Sequence, residues 1–307
     1  MKKIAYISGG IGGAKLAKGL YALKDIHLSI IVNTGDDENI HGIKLSPDVD
    51  SVMYALAGME GEFGWGQKND TFNVSNFYKE YQNQQFSIGD KDMALKLFRN
   101  QMLNDGKNLT EVTKFFTDFY KLDCQILPMT NEVVSTTVTT LDNEVLSFQE
   151  YFVERKAEPV LKDIEYIGAN KAFPTNEVTN ALLEANKIII GPSNPLLSIG
   201  PILSISKIKK IISEHRSVTV VSPFINQKAL KGPSDRNFTN FGLQPNIQGL
   251  QEFYGDIANK FIVHKNENTD ENTDENTDEN TDENTEAENI LFSDKTIAVN
   301  LAKEITK

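Results

Sequence analysis

The chain has 307 residues, of which 39% are hydrophobic and 24% are charged, so it holds enough apolar material for a core and is not wholly disordered. Its formal net charge of -12 argues against nucleic acid or an anionic membrane as the main partner. Its single cysteine, Cys124, excludes an internal disulfide and a cysteine-based metal cage. No apolar run reaches the roughly 18 residues of a membrane span, and no leader-like region with a cleavage site is evident. We expect a cytoplasmic protein.

The negative charge is concentrated in one segment. Residues 267–288 contain 11 of the 43 acidic residues and no basic residue, which leaves 32 acidic against 31 basic residues elsewhere. Residues 266–286 repeat Asn-Thr-Asp-Glu, carry no apolar side chain and combine poor helix formers with like charges, so they predict a disordered acidic insertion. Apolar residues then recur at helical spacing, which predicts that residues 287–307 form a C-terminal helix docked on the main domain.

The first elements of the chain predict the start of a parallel sheet. An apolar run, a glycine-rich loop, a segment with helical spacing and a second apolar run follow one another at residues 4–7, 8–13, 14–23 and 28–32. This order of strand, loop, helix and strand is typical of a Rossmann-like, doubly wound, mostly parallel α/β sheet.

Two later apolar runs, at residues 188–190 and 218–221, predict further buried strands of the same sheet. Each ends at a break that contains proline, and the first break is Gly-Pro-Ser-Asn-Pro. In open α/β sheets, ligands lie outside the carboxyl ends of the strands. Ser193 and Asn194 are therefore candidate ligand-binding residues.

The region between the strand at residues 28–32 and the strand at residues 188–190 predicts insertions. Residues 91–120 are mostly helical, with a cap signal at Thr110, and indicate a helical cap inserted over about residues 60–125. Residues 133–153 are rich in Val and Thr around an Asp-Asn turn signal and predict an antiparallel hairpin. We interpret residues 1–265 as one α/β domain that carries both insertions.

The glycine-rich loop is the first candidate site. Gly9, Gly10, Gly12 and Gly13 lie between a strand and a helix, where glycine lets the backbone approach a phosphate and the helix start offers unpaired N–H groups. Lys15, in the first helical turn, could reach a phosphate oxygen. The spacing does not match a Walker loop, and it leaves both a dinucleotide and a nucleotide diphosphate open as ligands.

Acidic residues follow the second strand. Asp36 and Asp37 come directly after it and are compatible with a ribose contact, a metal site or a plain turn. Ser46, followed by Pro-Asp, is a helix-start signal. Asp50 lies further into that helix and has no capping role, so it could accept a hydrogen bond from a substrate hydroxyl. The four histidines, among them His41, show no metal-ligand spacing.

Taken in order, these and later segments resemble the CofD family, the 2-phospho-L-lactate transferases of coenzyme F-420 biosynthesis. The segments that carry the resemblance are Gly-Gly-Ile-Gly-Gly-Ala-Lys-Leu (9–16), Val-Asn-Thr-Gly-Asp-Asp (32–37), Ser-Pro-Asp-Val-Asp (46–50), Ile-Gly-Asp-Lys-Asp (88–92), Leu-Pro-Met-Thr (127–130), Phe-Gln-Glu-Tyr-Phe (148–152), Gly-Pro-Ser-Asn-Pro (191–195), Ser-Ile-Gly-Pro-Ile (198–202) and Lys-Gly-Pro (231–233). No single segment is specific, but the ordered set is. It runs over almost the whole chain up to about residue 265.

The resemblance implies a reaction. A guanosine diphosphate donor, lactyl- or enolpyruvyl-2-diphospho-5'-guanosine, passes its phosphorylated three-carbon acid to the ribitol hydroxyl of the deazaflavin FO. The products are coenzyme F-420-0, or its dehydro form, and GMP, and the reaction requires Mg²⁺. The partners are these small molecules, and a homodimer is one assembly that the sequence allows.

The resemblance also implies site residues. Asp50 contacts FO and orients or deprotonates its hydroxyl, and Lys91 is a second FO contact or a phosphate ligand. The glycine loop with Lys15, and the turn with Ser193 and Asn194, hold the donor. The metal ligands are left unassigned. Three features depart from the family pattern: Ile11 replaces the usual Thr, Lys91 replaces the common Arg and loses its bidentate fork, and the acidic repeat is not a family feature.

Three other functions stay open at this point. The first is a nucleotide-sugar-binding regulator of the YvcK type, which shares the glycine loop and the acidic pair but need not catalyse. The second is an NAD(P)-dependent oxidoreductase, although the loop lacks Gly-x-Gly-x-x-Gly spacing from Gly9 or Gly10 and no catalytic His or Tyr constellation is evident. The third is a scaffold recruited through the acidic repeat.

Overall fold

The protein is described by a computed structural model that covers residues 1–40, 42–62, 64–81, 87–265, 284–292 and 294–307. In chain order, the strands are β1 (Lys2–Ser8), β2 (Ile26–Val32), β3 (Glu38–Ile40), β4 (Ile43–Leu45), β5 (Gln125–Pro128), β6 (Ser135–Thr140), β7 (Val145–Ser147), β8 (Leu161–Ile167), β9 (Lys187–Ile190), β10 (Val218–Val221), β11 (Phe224–Ile225), β12 (Lys228–Ala229), β13 (Lys260–His264) and β14 (Thr285–Glu288). The α-helices are α1 (Ile11–Tyr21), α2 (Pro47–Leu56), α3 (Asn73–Tyr81), α4 (Asp90–Asn104), α5 (Leu109–Phe119), α6 (Asn176–Leu183), α7 (Gly200–Ser204), α8 (Ser206–Ser213), α9 (Ser234–Asn240), α10 (Ile247–Tyr254) and α11 (Lys295–Ile305).

The main sheet has seven parallel strands in the order β14-β13-β10-β9-β1-β2-β5. From β1 the chain builds outward through β2 and β5, and it then returns to the other side of β1 to add β9, β10, β13 and β14. The order therefore reverses between β1 and β9, and a crevice opens at the carboxyl ends of strands at such a switch point. This topology confirms the doubly wound α/β fold.

The sheet is buried on both faces, which explains why its strands read as continuous apolar runs rather than as alternating patterns. In β1, Ala5 and Ile7 point into one apolar cluster, with side chains of α6, α8 and α10. The alternate residues Ile4 and Tyr6 point into a second cluster, with side chains of α1, α2 and α11. Successive side chains of a strand point to opposite faces, so helices cover both.

The predicted insertions are present. Strands β6 and β7 form the antiparallel hairpin, and β8 pairs with β6 to make a three-stranded sheet. Helices α4 and α5 form the predicted helical segment, but the cap of α5 is Asn108 rather than Thr110. Asn108 accepts from the N–H of Glu111, whose carboxylate in turn accepts from the N–H of Asn108. Thr110 instead donates from its N–H and its hydroxyl to Asn131 Oδ1.

The C-terminal residues differ in part from the prediction. The acidic repeat lies outside the described residues up to position 283, but Thr285–Glu288 form the parallel edge strand β14 rather than disordered chain and the start of a helix. The helix α11 begins only at Lys295 and packs against α1, with Leu301, Ala302 and Ile305 in the core. None of the helices in the described ranges is long and apolar enough to span a bilayer.

Candidate active site

A cavity of about 840 Å³ lies at the switch point between β1 and β9. Its walls come from the β1–α1 loop, the residues after β2, helix α2, the segment between α2 and α3, helix α4 with the residues before it, the segment after β7, the loop after β9 and the segment between β12 and α9. The lining residues include Gly10, Ile11, Gly12, Asp36, Asp48, Asp50, Tyr54, Trp65, Asp92, Lys96, Phe148, Phe152, Ser193, Asn194 and Lys231. A cavity of this size accommodates a drug-sized or nucleotide-sized ligand.

The glycine loop brings the start of α1 to the cavity. Helix α1 begins at Ile11, its N-cap is Gly10, and no side chain caps it. The first N–H groups of a helix have no partner within the helix and favour an anion. Because Gly10 and Gly12 line the cavity, this helix start is suited to a phosphate.

Gly9 and Gly13 have a packing role and do not line the cavity. A Cβ on Gly9 would lie 2.5 Å from Ser198 Cβ, and a Cβ on Gly13 would overlap Ser8 Oγ. Glycine at both positions therefore lets the loop pack tightly against the loop after β9. Lys15 is exposed and also lies outside the cavity lining.

Ser193 and Asn194 line the cavity, and their side chains also hold the loop together. Ser193 Oγ accepts from the N–H of Gly9 at 3.0 Å, which ties the two candidate phosphate loops to each other. Asn194 Oδ1 accepts from the N–H groups of Leu196 and Leu197 at 3.0 and 3.1 Å. Asn194 therefore caps the helical turn that follows it.

The close approach of these two loops gives a prediction. A Cβ on Gly12 would lie 2.8 Å from the carbonyl oxygen of Pro192, so Gly12→Ala must push the loops apart. We expect a roughly tenfold rise in the KM of the nucleotide donor, as for a lost charge-assisted hydrogen bond. We expect a stability loss of about 1–3 kcal/mol, as for other overpacked sites.

The matched control is Gly58→Ala. Gly58 follows α2, has a φ of +66° and has no atom within 4 Å of a built Cβ. This change should cost about 1–2 kcal/mol of backbone strain and leave the donor KM unchanged. Steady-state kinetics and denaturant unfolding measure both variants, and an unchanged donor KM in Gly12→Ala would contradict the assignment of the loop.

The two neighbouring aspartates after β2 point to different places. Asp36 faces the main cavity, whereas Asp37 faces a smaller one of about 250 Å³. Asp37 pairs with Lys44 at 3.1 Å and accepts from Ser46 Oγ at 2.8 Å, and burial raises its pKa to about 6. Ser46 precedes α2 as predicted, but its side chain makes no cap bond.

Asp36, which is buried, and Asp48, which is half-buried, form a carboxylate pair at the cavity wall. Asn33 Nδ2 donates to Asp48 Oδ2 at 3.0 Å and to Asp36 Oδ1 at 3.4 Å. Burial and then the neighbouring Asp48 and Asp37 raise the pKa of Asp36 well above its usual value, and burial raises the pKa of Asp48 to about 6. Two adjacent carboxylates repel each other when both are ionised, so a bound cation would relieve the repulsion.

The chemistry of this pair can be compared with what Mg²⁺ needs from a protein. In the described ranges, no group of three or more His, Cys, Asp and Glu side chains is arranged to hold a metal ion. Mg²⁺ commonly takes only one or two carboxylates from a protein and completes its shell with water and substrate phosphates. Asp36 and Asp48 fit this donor set, and Asp48 lies beside Gly10 of the helix start, since a Cβ on Gly10 would overlap Asp48 Oδ1.

Asp50 lies at the cavity wall within a buried ion-pair cluster, and its contact with a substrate stays a prediction. Arg99 donates from both terminal nitrogens to the two oxygens of Asp50, and Lys96 Nζ donates to Asp50 Oδ2 at 3.0 Å. Burial alone would raise the pKa of Asp50, but the two cations outweigh it and lower the pKa below its usual value. Asp50 is therefore an ionised acceptor and a poor proton acceptor for catalysis at neutral pH.

The cluster extends beyond Asp50. Lys96 Nζ donates to Asp92 Oδ1 at 2.5 Å, and Tyr54 Oη donates to the same oxygen at 2.6 Å. Asp92, Lys96 and Arg99 were not predicted as site residues from the sequence. Their spacing of i, i+4 and i+7 was the available signal, because it places three charged side chains on one face of a helix.

Lys91 lies outside the cavity lining. Its ammonium donates to the carbonyl oxygen of Asn69 at 2.6 Å, and its side chain is exposed. Its contact with a substrate stays a prediction. Lys231, in contrast, lines the cavity, and burial together with the nearby Lys15 lowers its pKa. Because Lys231 lines the cavity, its ammonium group adds positive charge to the cavity wall.

Aromatic side chains form the apolar part of the cavity. Phe148 and Phe152 stack with ring centroids 5.3 Å apart and an interplanar angle of 10°, and Trp65 also lines the space. Trp65 and Phe152 are 46% and 38% exposed, so both rings are accessible to a planar ligand. His41 lies outside the described residues.

A doubly wound sheet with a helix start, a carboxylate pair and an aromatic wall at its switch point is typical of α/β enzymes that bind a ligand at the carboxyl ends of their strands. A family model described as 2-phospho-L-lactate transferase CofD matches residues 4–302, and the chain belongs to this family. The resemblance found in the sequence is thereby confirmed.

Known relatives cover most of the chain. A 2-phospho-L-lactate transferase of Methanopyrus kandleri is 39% identical over 82% of this chain and 81% of its own length. A protein of the same name from Methanocaldococcus jannaschii is 36% identical over 85% of both chains. A phosphoenolpyruvate transferase of Streptomyces coelicolor is 36% identical over 82% of both chains.

The fold also has a solved counterpart. A crystal structure of a UPF0052 family member from Bacillus halodurans superimposes with a TM-score of 0.58 over 86% of this chain and 81% of its own, at 18% sequence identity. This likeness shows a shared fold.

Proposed function

We propose that this enzyme transfers a phosphorylated three-carbon acid from a guanosine diphosphate donor to the ribitol hydroxyl of the deazaflavin FO. The hydroxyl oxygen forms a bond to the distal phosphorus of the donor. The bond from that phosphorus to the bridging oxygen breaks, GMP leaves with the bridging oxygen, and the hydroxyl proton is released. The product is coenzyme F-420-0 or its dehydro form.

One observation carries this proposal beyond family membership. A single cavity joins an anion-binding helix start with a buried, charge-balanced cluster and an aromatic wall. The helix start suits a diphosphate, the cluster suits a neutral polyol, and the wall suits a planar ring. A transferase of this kind needs all three in one space, because holding both reactants in line can lower the barrier by about 7–11 kcal/mol.

The donor would bind at the loops after β1 and β9. The N–H groups at the start of α1 and the ammonium of Lys231 would hold its phosphates, and Ser193 and Asn194 would keep the second loop in place. These groups are fixed before the substrate arrives, so they stabilise developing charge without reorganisation.

Asp36 and Asp48 would hold Mg²⁺ beside these loops. When bound, the ion would neutralise charge that develops on the transferred phosphoryl group. Asn33 donates to both carboxylates, so the pair would take up the ion without large rearrangement.

Asp50 would orient the acceptor. Its ion pairs keep it ionised, so it would accept a hydrogen bond from a ribitol hydroxyl and direct that chain towards the donor. A loose phosphoryl-transfer transition state depends on positioning and electrostatics and makes little demand on a strong base.

The direct test is a panel of donors. Purified protein with Mg²⁺ and FO should release GMP with at least one of the lactyl- and enolpyruvyl-diphosphoguanosine donors, and the product mass identifies the acid transferred. Absence of turnover with every three-carbon donor would contradict the proposal. Donor binding without FO binding would instead favour the regulator.

A further inference from the structure

The buried ion-pair cluster of Asp50, Asp92, Lys96 and Arg99 contains two hydrogen-bonding positions that the ion pairs do not use. An ammonium carries three N–H donors. Lys96 uses two of them, on Asp50 Oδ2 and Asp92 Oδ1, and no third acceptor is found in the described part of the chain. Asp92 Oδ1 accepts from Lys96 and Tyr54, while Asp92 Oδ2 accepts from no described residue.

These two positions belong to residues in direct contact, and both residues line the cavity. The side chains of Lys96 and Asp92 are only 6% and 10% exposed, so what they reach is the cavity rather than bulk solvent. An available donor thus lies beside an available acceptor. A hydroxyl is the group that satisfies both, since it accepts one hydrogen bond and donates another.

The charge of the cluster also favours a neutral ligand group. Asp50 and Asp92 balance Lys96 and Arg99, so the cluster has no net charge. A phosphate or carboxylate placed here would face the Asp92 carboxylate in a cluster that has no net positive charge to offset the repulsion. The donor's anionic groups are better held at the start of α1, and the cluster is left for the uncharged reactant.

We propose that Asp92 and Lys96 form a hydroxyl-binding pair for the polyol chain of the acceptor. Lys96 donates to the hydroxyl oxygen and the hydroxyl donates to Asp92 Oδ2. This inference rests on the proposed function and adds substrate specificity to it. An acceptor without that hydroxyl would leave the Lys96 ammonium and the Asp92 carboxylate each with an unpaired hydrogen-bonding position at a buried site. Sites that hydrogen-bond a substrate hydroxyl discriminate strongly for this reason.

Asp92→Asn is the first variant to test. The amide keeps an oxygen for Tyr54 and Lys96 but replaces Oδ2 by an NH₂ group, which donates where the carboxylate accepted. The full chain is titrated with FO, with an FO analogue that carries a plain alkyl chain instead of ribitol, and with GDP as a probe of the donor loops. Unfolding by denaturant is measured in parallel.

We expect the wild type to prefer FO to the alkyl analogue by about tenfold or more, which is the range of a charge-assisted hydrogen bond. In Asp92→Asn this preference should fall by a similar factor while GDP affinity is unchanged. Lys96→Met combined with Asp92→Asn removes one charge of each sign and should abolish the preference. The matched control, Lys114→Met with Asp118→Asn, removes an exposed ion pair on α5 and should leave it intact.

The outcomes separate this inference from the proposed function. If the wild type binds FO and turns over, and Asp92→Asn retains the full preference for FO, the hydroxyl-binding pair is refuted and the proposed function stands. If the wild type binds neither FO nor the donors productively, the proposed function fails and the pair fails with it. A loss of GDP affinity equal to the loss of FO affinity would show a merely structural role and also overturn the pair.

Discussion

Asp50→Ala is expected to abolish turnover and to destabilise the protein by about 3–5 kcal/mol, the usual cost of removing one partner from a buried ion pair. The change would leave Arg99 without its bidentate partner and Lys96 with one carboxylate instead of two. Arg99 is 1% exposed and its Nε has no hydrogen-bond partner among the described residues, so this guanidinium already carries one unsatisfied donor before the carboxylate is removed. Denaturant unfolding measures the stability and GMP release measures the turnover.

The control for this variant is Asp118→Ala. Asp118 pairs with Lys114 at 2.8 Å on α5, but both side chains are more than half exposed. Surface pairs of this kind contribute about 0–1 kcal/mol, so this variant should unfold and turn over like the wild type. If Asp50→Ala proved as stable as Asp118→Ala, the ion-pair cluster would not hold α2 and α4 together as described.

Asp48→Asn is expected to stabilise the metal-free protein at pH 8 and to remove most of its stabilisation by Mg²⁺. Burial raises the pKa of Asp48 to about 6, so the folded protein binds a proton more tightly than the unfolded chain does. Stability from this group is present at low pH and is lost as the pH rises through about 6. The asparagine variant avoids that loss, which amounts to roughly 1–3 kcal/mol.

Unfolding in EDTA and in Mg²⁺ at pH 5 and pH 8 tests this expectation. Mg²⁺ competes with protons for the carboxylate pair, so it should stabilise the wild type more at pH 8 than at pH 5. Asp235→Asn is the control, since Asp235 lies on α9 and is not among the residues that line the cavity. Equal Mg²⁺ stabilisation of Asp48→Asn and the wild type would place the metal elsewhere.

The local pattern of the sequence was sufficient to predict these strands and the loops that follow them. Residues 4–7, 28–32, 188–190 and 218–221 all lie in strands of the parallel sheet, because a strand buried on both faces must be apolar throughout. The same logic placed the glycine loop and the loop of Ser193 and Asn194 at one edge, since carboxyl ends of parallel strands meet there.

The edge strand β14 was not predictable in this way. Thr285–Glu288 contains no large apolar residue, and its place beside β13 depends on main-chain hydrogen bonds rather than on burial. The acidic composition of the segment therefore predicted disorder. Backbone pairing at a sheet edge leaves little signal in side-chain chemistry.

The sequence by itself determined the doubly wound sheet, the family and the loops that meet at the switch point, because periodicity and glycine placement are local properties of the chain. Only the tertiary structure decided what the charged residues do. It separated Asp36 from Asp37, paired Asp36 with Asp48, and enclosed Asp50 with two cations from α4. Those partners lie 46 and 49 positions away in the chain, and a carboxylate's state depends on the charges and burial that packing brings to it.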